Sequence, residues 1–493
     1  MGIGGLRHDS SVALLRDGKI IAAFQEERLT RKKHVGGFPF KGVEYCLKHA
    51  GIERKDVSAV AFYTRKSHMV KMLYDDLNAY FLQYINISNI PSFMLNIHYR
   101  VKKILEYSRA INFASRHFSK ENIHFIDHHD AHAAGSYYLS PFPESLVLVV
   151  DAVGDGHCCS IYYGENEKLT RLHSVEYPHS ISNLYTLMTH YLGFYGRGNQ
   201  YKLMGLSSYR EPLYDDKLKS LILFTDNGYK LNPKYFDMKP GFVFSKHFYN
   251  IFGPPRNENE KINEHHENLA AGIQKLFEEV VFHLCNTAKK IKFSENLCLA
   301  GGSALNCVSN GKLISNKMFK NVFVPPGAGD CGTSIGSALF YYNSVCQKER
   351  NFILTHDYWG NEYNNEEVLA QLEKPGIKYC PVKHPAKVAS KALAEDKIVG
   401  WFQGRSEFGP RALGNRSILA DPRSHINKDR INKTIKFREE FRPFAPAILA
   451  ENVDDFFEKP YCLSPFMTFT FQIKPDKRSV IPSVVHVDGS GRL

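Results

Sequence analysis

Residues 146–156 read Leu146-Val-Leu-Val-Val-Asp151-Ala-Val-Gly-Asp-Gly156. The apolar run that precedes Asp151 predicts a strand buried on both faces, and the glycines after it predict a tight turn at the carboxyl end of that strand. The same strand-to-glycine pattern recurs at 297–302 and 322–332. Because ligands of open α/β sheets bind at the carboxyl ends of strands, the pattern predicts an α/β fold with a site along that edge.

Other elements are predicted on both sides of this stretch. Apolar runs at 11–15 and 20–24 flank Asp17-Gly18, which is typical of a hairpin. Apolar residues between 269 and 284 share one face of a long helix. Residues 66–118 have helical periodicity and are predicted to form a helical insertion. We find no internal repeat in the sequence.

Length and composition exclude several classes of protein. The chain has 493 residues, of which 43% are hydrophobic and 23% charged, which favours a soluble globular protein of two to four domains. Ten cysteines are too few for a disulfide scaffold, and reduced thiols are expected. No run approaches the ~18–20 apolar residues of a membrane helix, and the N-terminus lacks a signal-peptide pattern. We therefore expect a cytoplasmic protein without a membrane partner.

The positive charge of the chain is concentrated in one segment. The net charge is +12, and residues 405–442 hold ten basic and five acidic side chains. The arginines of this segment stand among glycine, proline and phenylalanine, as in residues 404–414, whereas a solvated face would favour lysine and glutamate at helical spacing. This pattern indicates bidentate binding of phosphates or carboxylates. A nucleic-acid patch is the competing interpretation.

Four residues could form a metal site. His128 and His132 are spaced i, i+4 on a predicted helix, which puts both imidazoles on one face. Asp151 ends the buried strand, and Asp330 lies in the glycine turn 327–332. Two histidines and two carboxylates suit Fe²⁺, Mn²⁺ or Zn²⁺ with positions left for substrate. The alternative is that the His-x-x-x-His spacing arises by chance among 22 histidines.

Glycine-rich loops at 151–156, 300–306 and 326–332 could cradle phosphate, because glycine lets backbone N–H groups approach oxyanions. The middle loop offers Gly301, Gly302 and Asn306 as nucleotide-binding candidates, and Lys202 could neutralise a phosphate. Each loop could also be an ordinary turn, and Lys202 a solvated lysine. Three such loops at strand ends favour a nucleotide site.

Several motifs in order along the chain resemble one enzyme family. They are residues 8–13 (His-Asp-Ser-Ser-Val-Ala), 25–28 (Gln-Glu-Glu-Arg), the His-rich run from His128, 201–206, 301–306, 404–423, 441–446 and 485–489 (Val-His-Val-Asp-Gly). Together they resemble the O-carbamoyltransferases typified by the nodulation-factor, cephem and tobramycin carbamoyltransferases. Each motif is weak alone, and the ordered set covers nearly the whole chain.

The resemblance implies a fold with two domains. Residues 1–345 are expected to form a threonylcarbamoyltransferase-like domain of the actin and sugar-kinase (ASKHA) class. Residues 346–384 form a bridging segment, and residues 385–493 are expected to form an α+β YrdC-like domain. Family chains continue beyond the Val-Asp-Gly motif, so we expect this second domain to be shortened.

The resemblance also implies a reaction. The YrdC-like domain is expected to make carbamoyladenylate from carbamoyl phosphate and ATP, with Mg²⁺, and the first domain to transfer the carbamoyl group to a hydroxyl of a secondary metabolite or glycan. The metal would be Fe²⁺ or another divalent ion held by His128, His132, Asp151 and Asp330. His8 is our candidate for the general base, with Asp9 orienting the loop or the acceptor. The alternative for His8 is a structural histidine at a strand end.

Five basic residues of the second domain are the candidates for binding carbamoyl phosphate and ATP: Arg405, Arg411, Lys436, Arg438 and Arg442. Two other functions stay open. One is a threonylcarbamoyl-type tRNA modification enzyme, although a nucleic-acid partner is disfavoured. The other is a truncated, non-catalytic paralogue that binds nucleotide. The sequence leaves the acceptor and the oligomeric state undetermined, with a homodimer as one candidate.

Overall fold

The computed structural model of the chain describes residues 1–64, 101, 105, 107–213, 215–237, 243–462 and 464–493. Most of the helical insertion predicted over 66–118 lies outside these residues. Its last part is helical, at residues 107–117. No helix in the described part of the chain is both long enough and apolar enough to span a bilayer.

The strands of the described residues are numbered in chain order: β1 (Gly2–Gly4), β2 (Ser11–Arg16), β3 (Lys19–Gln25), β4 (Val60–Phe62), β5 (Ile123–Phe125), β6 (Glu144–Gly154), β7 (His157–Glu165), β8 (Lys168–Glu176), β9 (Ile222–Thr225), β10 (Gly228–Leu231), β11 (Phe236–Asp237), β12 (Val243–Phe244), β13 (Asn296–Ala300), β14 (Asn321–Phe323), β15 (Val399–Phe402), β16 (Arg416–Leu419), β17 (Thr470–Gln472) and β18 (Ser490–Arg492).

The α-helices with defined bounds are α1 (Glu26–Thr30), α2 (Phe40–Ala50), α3 (His128–Tyr137), α4 (Ile181–Tyr191), α5 (Gln200–Leu206), α6 (Asp215–Lys219), α7 (Lys246–Phe252), α8 (Glu264–Ile291), α9 (Cys307–Ser315), α10 (Thr333–Leu339), α11 (Asn365–Leu372), α12 (Pro385–Ala394), α13 (Asn427–Ile431), α14 (Val453–Phe456) and α15 (Pro475–Arg478). Short 3₁₀ turns at Gly302–Leu305 and Asp330–Gly332 precede α9 and α10.

Two five-stranded sheets share one topology. The first has the order β3-β2-β1-β4-β5 and the second the order β8-β7-β6-β13-β14. In each sheet three consecutive strands form an antiparallel meander. Two later strands then continue the sheet in parallel beyond the first strand of the meander. The structure confirms the mixed α/β class and reveals a repeat of topology that is not visible in the sequence.

The strand of residues 146–150 occupies the middle of the second sheet. It belongs to β6, which pairs with β7 on one side and with β13 on the other. Leu146 to Val150 are all buried, as expected for a strand covered on both faces. The predicted hairpin is also confirmed, because β2 and β3 pair through Asp17 and Gly18, whose φ angles of 51° and 78° suit a type I′ turn.

Two helices pack between the sheets. Helix α3 contacts β6 and β13 of the second sheet, α10 contacts β1 and β2 of the first, and the two helices contact each other. Gly336 permits this approach, because a Cβ at that position would lie 1.8 Å from the carbonyl oxygen of Ala131. The close packing brings the amino-terminal end of α3 near the turn that leads into α10.

The C-terminal part of the chain contributes to the main core. Helix α12 and strand β15 lie near the beginning of this part. A Cβ at Gly311 of α9 would lie 2.0 Å from the carbonyl oxygen of Thr470, so the backbone of β17 rests against that helix. Buried C-terminal residues in the same cluster as Leu313 and Ile314 of α9 are Val453, Phe457, Phe469, Phe471, Ile473, Ile481, Val484 and Leu493. In contrast, α11 and α12 contribute no buried residue.

Candidate functional site

The four predicted metal ligands lie together where the two sheets meet. His128 is the first residue of α3, which Asp127 caps by accepting from the backbone N–H groups of His129 and Asp130. His132 follows one turn later. Asp151 comes from β6, and Asp330 from the 3₁₀ turn ahead of α10.

The side chains converge on one point. The Nε2 atoms of His128 and His132 are 3.1 Å apart, and His128 Nε2 is 3.3 Å from Asp151 Oδ2. Asp330 Oδ1 is 3.5 Å from His132 Nε2 and 3.8 Å from His128 Nε2. One ligand atom from each residue lies within 4.8 Å of all the others. This nitrogen and oxygen donor set suits a divalent transition metal.

The electrostatics of this cluster also favour a cation. Burial lowers the pKa of His128, but the hydrogen bond to Asp151 and the charge of Asp330 outweigh it and raise the pKa to about 9. Burial raises the pKa of Asp330, but the charge of His8 and the hydrogen bond of His132 lower it to about 2. The carboxylates therefore stay ionised in a buried place and need positive charge beside them.

Neighbouring groups hold the ligands in place. The backbone N–H of His128 donates to Asp155 Oδ2 at 2.9 Å, and Thr64 Oγ1 donates to Asp155 Oδ1 at 2.6 Å. A Cβ at Gly154 would lie 2.0 Å from Cδ2 of the His128 ring, so this glycine leaves the room that the ring occupies. Asp155 and Gly154 belong to the first glycine-rich loop, which thus positions a ligand directly.

His8 and Asp9 lie beside the cluster. His8 Nδ1 is 2.7 Å from Asp9 Oδ2, and His8 Nε2 is 3.5 Å from Asp330 Oδ2. Asp9 Oδ1 also bonds His34 Nδ1 at 2.7 Å, a partner that the sequence analysis did not single out. Burial raises the pKa of Asp9, but the hydrogen bonds from His8 and His34 outweigh it and hold the pKa below its usual range. The Nε2 side of His8 therefore faces the cluster while its Nδ1 side is held.

The middle glycine loop adjoins the same cluster. The backbone N–H of Gly302 donates to Asp151 Oδ1 at 3.1 Å. Gly301 has a φ of 88°, and a Cβ there would lie 2.3 Å from the carbonyl oxygen of Val150. The side chain of Asn306 caps α9 and exchanges hydrogen bonds with Gln274 in the core. Asn306 is thus engaged in structural contacts, whereas Gly301 and Gly302 shape the approach to Asp151.

A second site is a pocket lined by arginines. Arg411, Arg438, Arg442 and Arg492 line it together with residues of α5, α9 and β18. The Arg442 guanidinium lies 4.1 Å from the centre of the Tyr201 ring, and Arg438 lies 4.5 Å from that of Phe444. Planar cations stacked on aromatic rings keep their N–H groups available at the edges.

The charge of this pocket is poorly compensated. The charge of Arg492, together with burial, lowers the pKa of Arg411 to about 10. Burial and the charge of Arg442 lower the pKa of Arg438 to about 10. Among the described residues, Arg411 makes no hydrogen bond or ion pair, and the buried Nε of Arg492 has no partner. Like charges held this close favour an anionic ligand between them.

The remaining basic candidates lie elsewhere. The Arg405 guanidinium donates to the carbonyl oxygens of Gly360, Ile21 and Trp359, so it joins segments of backbone and does not line the pocket. Lys436 is exposed and does not line it either, although the charges of Arg438 and Arg442 contribute, after partial burial, to lowering its pKa. Our expectation that Arg405 belongs with the other arginines is not supported by its position.

Lys202 joins α5 to a later segment of the chain. Its ammonium is 2.5 Å from Glu439 Oε1 and 5.7 Å from the centre of the Phe194 ring. It therefore neutralises a carboxylate of the segment that carries Arg438 and Arg442, and its hydrogen bonds do not involve the glycine loops.

Sequence reasoning missed Arg492 in this pocket. It lies three residues beyond the Val-Asp-Gly motif, in β18, which pairs with β17. The neighbouring motif could have indicated Arg492. A glycine turn that leads into a strand fixes the positions of the side chains that follow it.

Comparison with models of protein families identifies the enzyme family of this chain. A model of the carbamoyltransferase N-terminus matches residues 1–339, and one of the carbamoyltransferase C-terminus matches residues 390–493. The chain belongs to the carbamoyltransferase family. This confirms the resemblance and the enzyme class that the motifs indicated.

Individual relatives are similar to this carbamoyltransferase over most of its length. An uncharacterised protein of Synechocystis sp. is 38% identical over 528 residues, which cover 100% of this chain and 85% of that protein. Nodulation protein NolNO of Sinorhizobium fredii is 35% identical over 494 residues, which cover 99% of this chain and 69% of NolNO. Nodulation protein NolO of Bradyrhizobium diazoefficiens is 34% identical over 380 residues, covering 75% of this chain and 67% of NolO.

Solved structures similar to this carbamoyltransferase include T. kodakarensis HypF, with a TM-score of 0.31 and 12% identity over 64% of this chain and 45% of HypF. A full-length HypF in its phosphate- and nucleotide-bound form has a TM-score of 0.33 and 14% identity, over 64% of this chain and 43% of that one. The chain thus spans less than half the length of either HypF chain.

Proposed function

We propose that this carbamoyltransferase is ATP-dependent and works in two steps at two sites. The arginine pocket binds carbamoyl phosphate and ATP, which arrives with Mg²⁺, and forms carbamoyladenylate. The histidine and aspartate cluster is the place where the carbamoyl group passes to an acceptor hydroxyl. The observation that carries this proposal is the buried group of His128, His132, Asp151 and Asp330 with His8 beside it, in a chain of this family.

The pocket supports the first step by its excess of positive charge, since four arginines line it and Glu439, 3.8 Å from Arg442, is the acidic side chain paired with one of them. Carbamoyl phosphate and the phosphates of ATP are anions, and planar guanidinium groups bind phosphate oxygens in bidentate fashion. Arg411 and Arg492 lack protein partners among the described residues, so their donors are free for such oxygens. We include Arg438 and Arg442 in the binding set, add Arg492 to it, and leave Arg405 out. Lys436 stays in the proposal as a residue at the rim.

The cluster supports the second step through its donor set. His128, His132, Asp151 and Asp330 would hold a divalent metal, for which we retain Fe²⁺ as the first candidate. When bound, such an ion polarises a carbonyl and stabilises the charge that develops on its oxygen. His8 takes the proton of the acceptor hydroxyl at Nε2, since Asp9 bonds Nδ1 and fixes which nitrogen faces the cluster. The side chain of His8 is about one third exposed, which leaves an approach for the acceptor.

The fold assignment of the two units is part of the same proposal. Two sheets of identical order, joined by helices that pack between them, support the ASKHA assignment for residues 1–345. We assign residues 385–493 to a YrdC-like unit that is reached through residues 346–384. The acceptor is proposed to be a hydroxyl of a secondary metabolite or glycan.

The first step is tested by incubating the protein with carbamoyl phosphate, ATP and Mg²⁺ and measuring carbamoyladenylate and pyrophosphate. We expect both products from the wild type and a loss of about 100-fold or more in Arg411→Ala, because the pocket loses a charge that contacts the anion. Arg423→Ala is the matched control, since Arg423 lies in the same segment but is exposed and paired with Asp421. A wild type that binds nucleotide but forms no adenylate contradicts the proposal.

The metal site is tested separately by elemental analysis of purified protein. We expect a transition metal in the wild type and its loss in His128→Ala, because a buried ligand is removed. His384→Ala, at an exposed histidine of the bridging segment, should keep the metal. Equal metal content in His128→Ala and the wild type contradicts the assignment.

A further inference from the structure

The motif Val485-His486-Val487-Asp488-Gly489 has no role in the two steps described above, yet its His486 lines the arginine pocket. His486 lines the pocket and is 9% exposed. Its backbone is fixed by two hydrogen bonds, from His486 N–H to Ser490 and from Gly489 N–H to His486. The ring thus has a defined place in the pocket that Arg492 also lines.

The two nitrogens of His486 have different surroundings. Nδ1 is 3.5 Å from Asp488 Oδ1. Nε2 is buried and has no hydrogen-bond partner among the described residues. A buried polar atom without a partner is costly unless a ligand satisfies it. Two such atoms, His486 Nε2 and Arg492 Nε, belong to side chains that line one pocket, which points to a bound group between them.

Asp488 is suited to orienting the ring. Burial raises the pKa of Asp488, but the hydrogen bonds from His486 and Ser490 outweigh it and hold the pKa well below its usual range. An ionised Asp488 favours the tautomer that carries its proton on Nδ1. Nε2 then carries a lone pair to which no described residue donates. The edge of the Tyr209 ring, 5.9 Å away between centroids, packs against the imidazole and limits its rotation.

The chemistry of the pocket needs such a group. Carbamoyl phosphate and ATP give carbamoyladenylate, phosphate and pyrophosphate only if a water molecule is consumed. Arginines are always protonated and cannot take the proton of that water. A neutral imidazole can do so near neutral pH.

We propose that His486 is the general base of the arginine pocket and that Asp488 positions it. This inference rests on the proposed function, since it requires carbamoyl phosphate in this pocket. The water oxygen bonds to the carbamoyl carbon while its proton passes to Nε2 of His486. The bond from that carbon to the phosphate oxygen breaks, and phosphate leaves towards the arginines. The departing phosphate takes the proton from Nε2 of His486 and leaves as hydrogen phosphate, and the carbamic acid loses its remaining proton to solvent. The resulting carbamate oxygen attacks the α-phosphorus of ATP, and pyrophosphate leaves.

The test measures phosphate release from carbamoyl phosphate in the presence of ATP and Mg²⁺, across a range of pH. We expect His486→Gln to lower kcat about 100-fold or more, with the KM for carbamoyl phosphate within about threefold of wild type, because glutamine keeps a polar atom near Nε2 but accepts no proton. Asp488→Asn should lower kcat less.

Other charged and titratable groups that line the pocket or pack against this ring are Asp488, the four arginines, Cys307, Tyr201 and Tyr209. The arginines cannot replace His486 as a base, because a guanidinium does not give up its proton in proteins. His247→Gln is the matched control. Its Nε2 is also buried without a partner among the described residues, but the ring packs on Tyr235, away from the pocket.

Calorimetric binding of inorganic phosphate shows whether each variant keeps a folded pocket. Phosphate affinity near wild type with a lost kcat supports the inference. A kcat of His486→Gln within threefold of wild type overturns it, and Asp488→Asn with an unchanged kcat overturns the positioning role. A wild type that binds phosphate but releases none from carbamoyl phosphate refutes the proposed function, and this inference falls with it.

Discussion

At the scale of single residues, Gly154 shows how a side chain that is absent shapes the cluster. The His128 ring fills the volume that a Cβ at position 154 would take, 2.0 Å from Cδ2. The sequence offered this glycine as part of a phosphate-binding loop, and the structure gives it a steric role beside a candidate ligand. Glycine patterns in a sequence do not distinguish these two uses, because both require only a missing Cβ.

Gly154→Ala should therefore lower metal affinity about tenfold or more, because the ring must move away from the other three ligands. The measurement is the metal content of purified protein after dialysis against a weak chelator. Gly400→Ala is the control, since a Cβ there meets no atom within 4 Å. Metal retention equal to that of the control would show that the ring can shift at no cost.

Asp357 is a buried carboxyl without a positive partner among the described residues. It is 2% exposed, and its Oδ2 has no hydrogen-bond partner within the described structure. Burial, with the charge of Glu407 adding to it, raises the pKa of Asp357 from 3.8 to about 8. The folded protein thus keeps a proton on Asp357 that the unfolded chain loses above about pH 4.

The free energy of unfolding should consequently fall as pH rises from about 5 to 8, by up to about 1.4 kcal/mol per pH unit from this group, and level off above pH 8. Asp357→Asn removes the titrating proton, so its stability relative to wild type should increase over the same range. Urea unfolding of both proteins at several pH values measures this difference. A difference that does not vary with pH contradicts the raised pKa.

At the scale of elements, the packing contact between α3 and α10 sets the distances between the candidate metal ligands. The i, i+4 spacing of His128 and His132 was visible in the sequence, because a helix places such residues on one face whatever surrounds it. Asp330 could be named as a candidate ligand from its glycine turn, but its distance from the two histidines could not be predicted, since it depends on Gly336 lying against Ala131 in another helix. Local periodicity predicts which side chains share a face, whereas the distance between faces is set by tertiary packing.

Gly336→Ala should destabilise the protein by about 1–3 kcal/mol, because the added methyl meets backbone that cannot rotate away. Gly205→Ala in α5 provides a matched helical glycine whose Cβ would be 3.7 Å from its nearest neighbour, an ordinary contact. That control should be neutral or slightly stabilising. Equal urea concentrations at the unfolding midpoint for the two variants would refute the role of Gly336 in the contact between α3 and α10.

The arginines of residues 405–442 show that the charge pattern of a segment does not predict which of its side chains line a pocket. Composition and spacing singled out the segment as a binding region, and three of its arginines do line the pocket. Arg405 instead donates to the carbonyl of Ile21, far away in sequence, and Arg492 joins the pocket from β18. A guanidinium binds a carbonyl or a phosphate through the same donors, so only the fold decides which of them it meets.

At the scale of the whole molecule, the repeated sheet order was invisible in the sequence. Topology repeats through the order and direction of strands, which many sequences can satisfy. For example, β1 is Gly-Ile-Gly whereas β6 has eleven residues, yet they hold the same position in their sheets. Strand class and several element positions could be predicted from apolar runs, but the pairing of the strands could not.

The C-terminal residues that share the main core should make the molecule unfold as one unit. Phe471 of β17 is 3% exposed, and Phe471→Ala should cost about 3–5 kcal/mol. Phe402→Ala, at a residue that is 56% exposed in β15, should cost about 1 kcal/mol or less, mainly from the lost contact with the Arg416 guanidinium. Circular dichroism and tryptophan fluorescence should report the same shifted midpoint for Phe471→Ala. Separate transitions by the two probes would contradict a shared core.

Two distant stretches of the chain line the arginine pocket. Tyr201 and Cys307 come from helices α5 and α9, and Arg442 and Arg492 come from the C-terminal stretch. An anion that contacts both walls binds only when they are joined. Thermodynamic linkage makes this effect reciprocal. The factor by which a bound anion raises the equilibrium constant for contact between the two walls equals the factor by which that contact raises the affinity for the anion. An anion bound in this pocket would therefore hold the two walls together, and a substitution where the walls meet would weaken anion binding without touching an arginine.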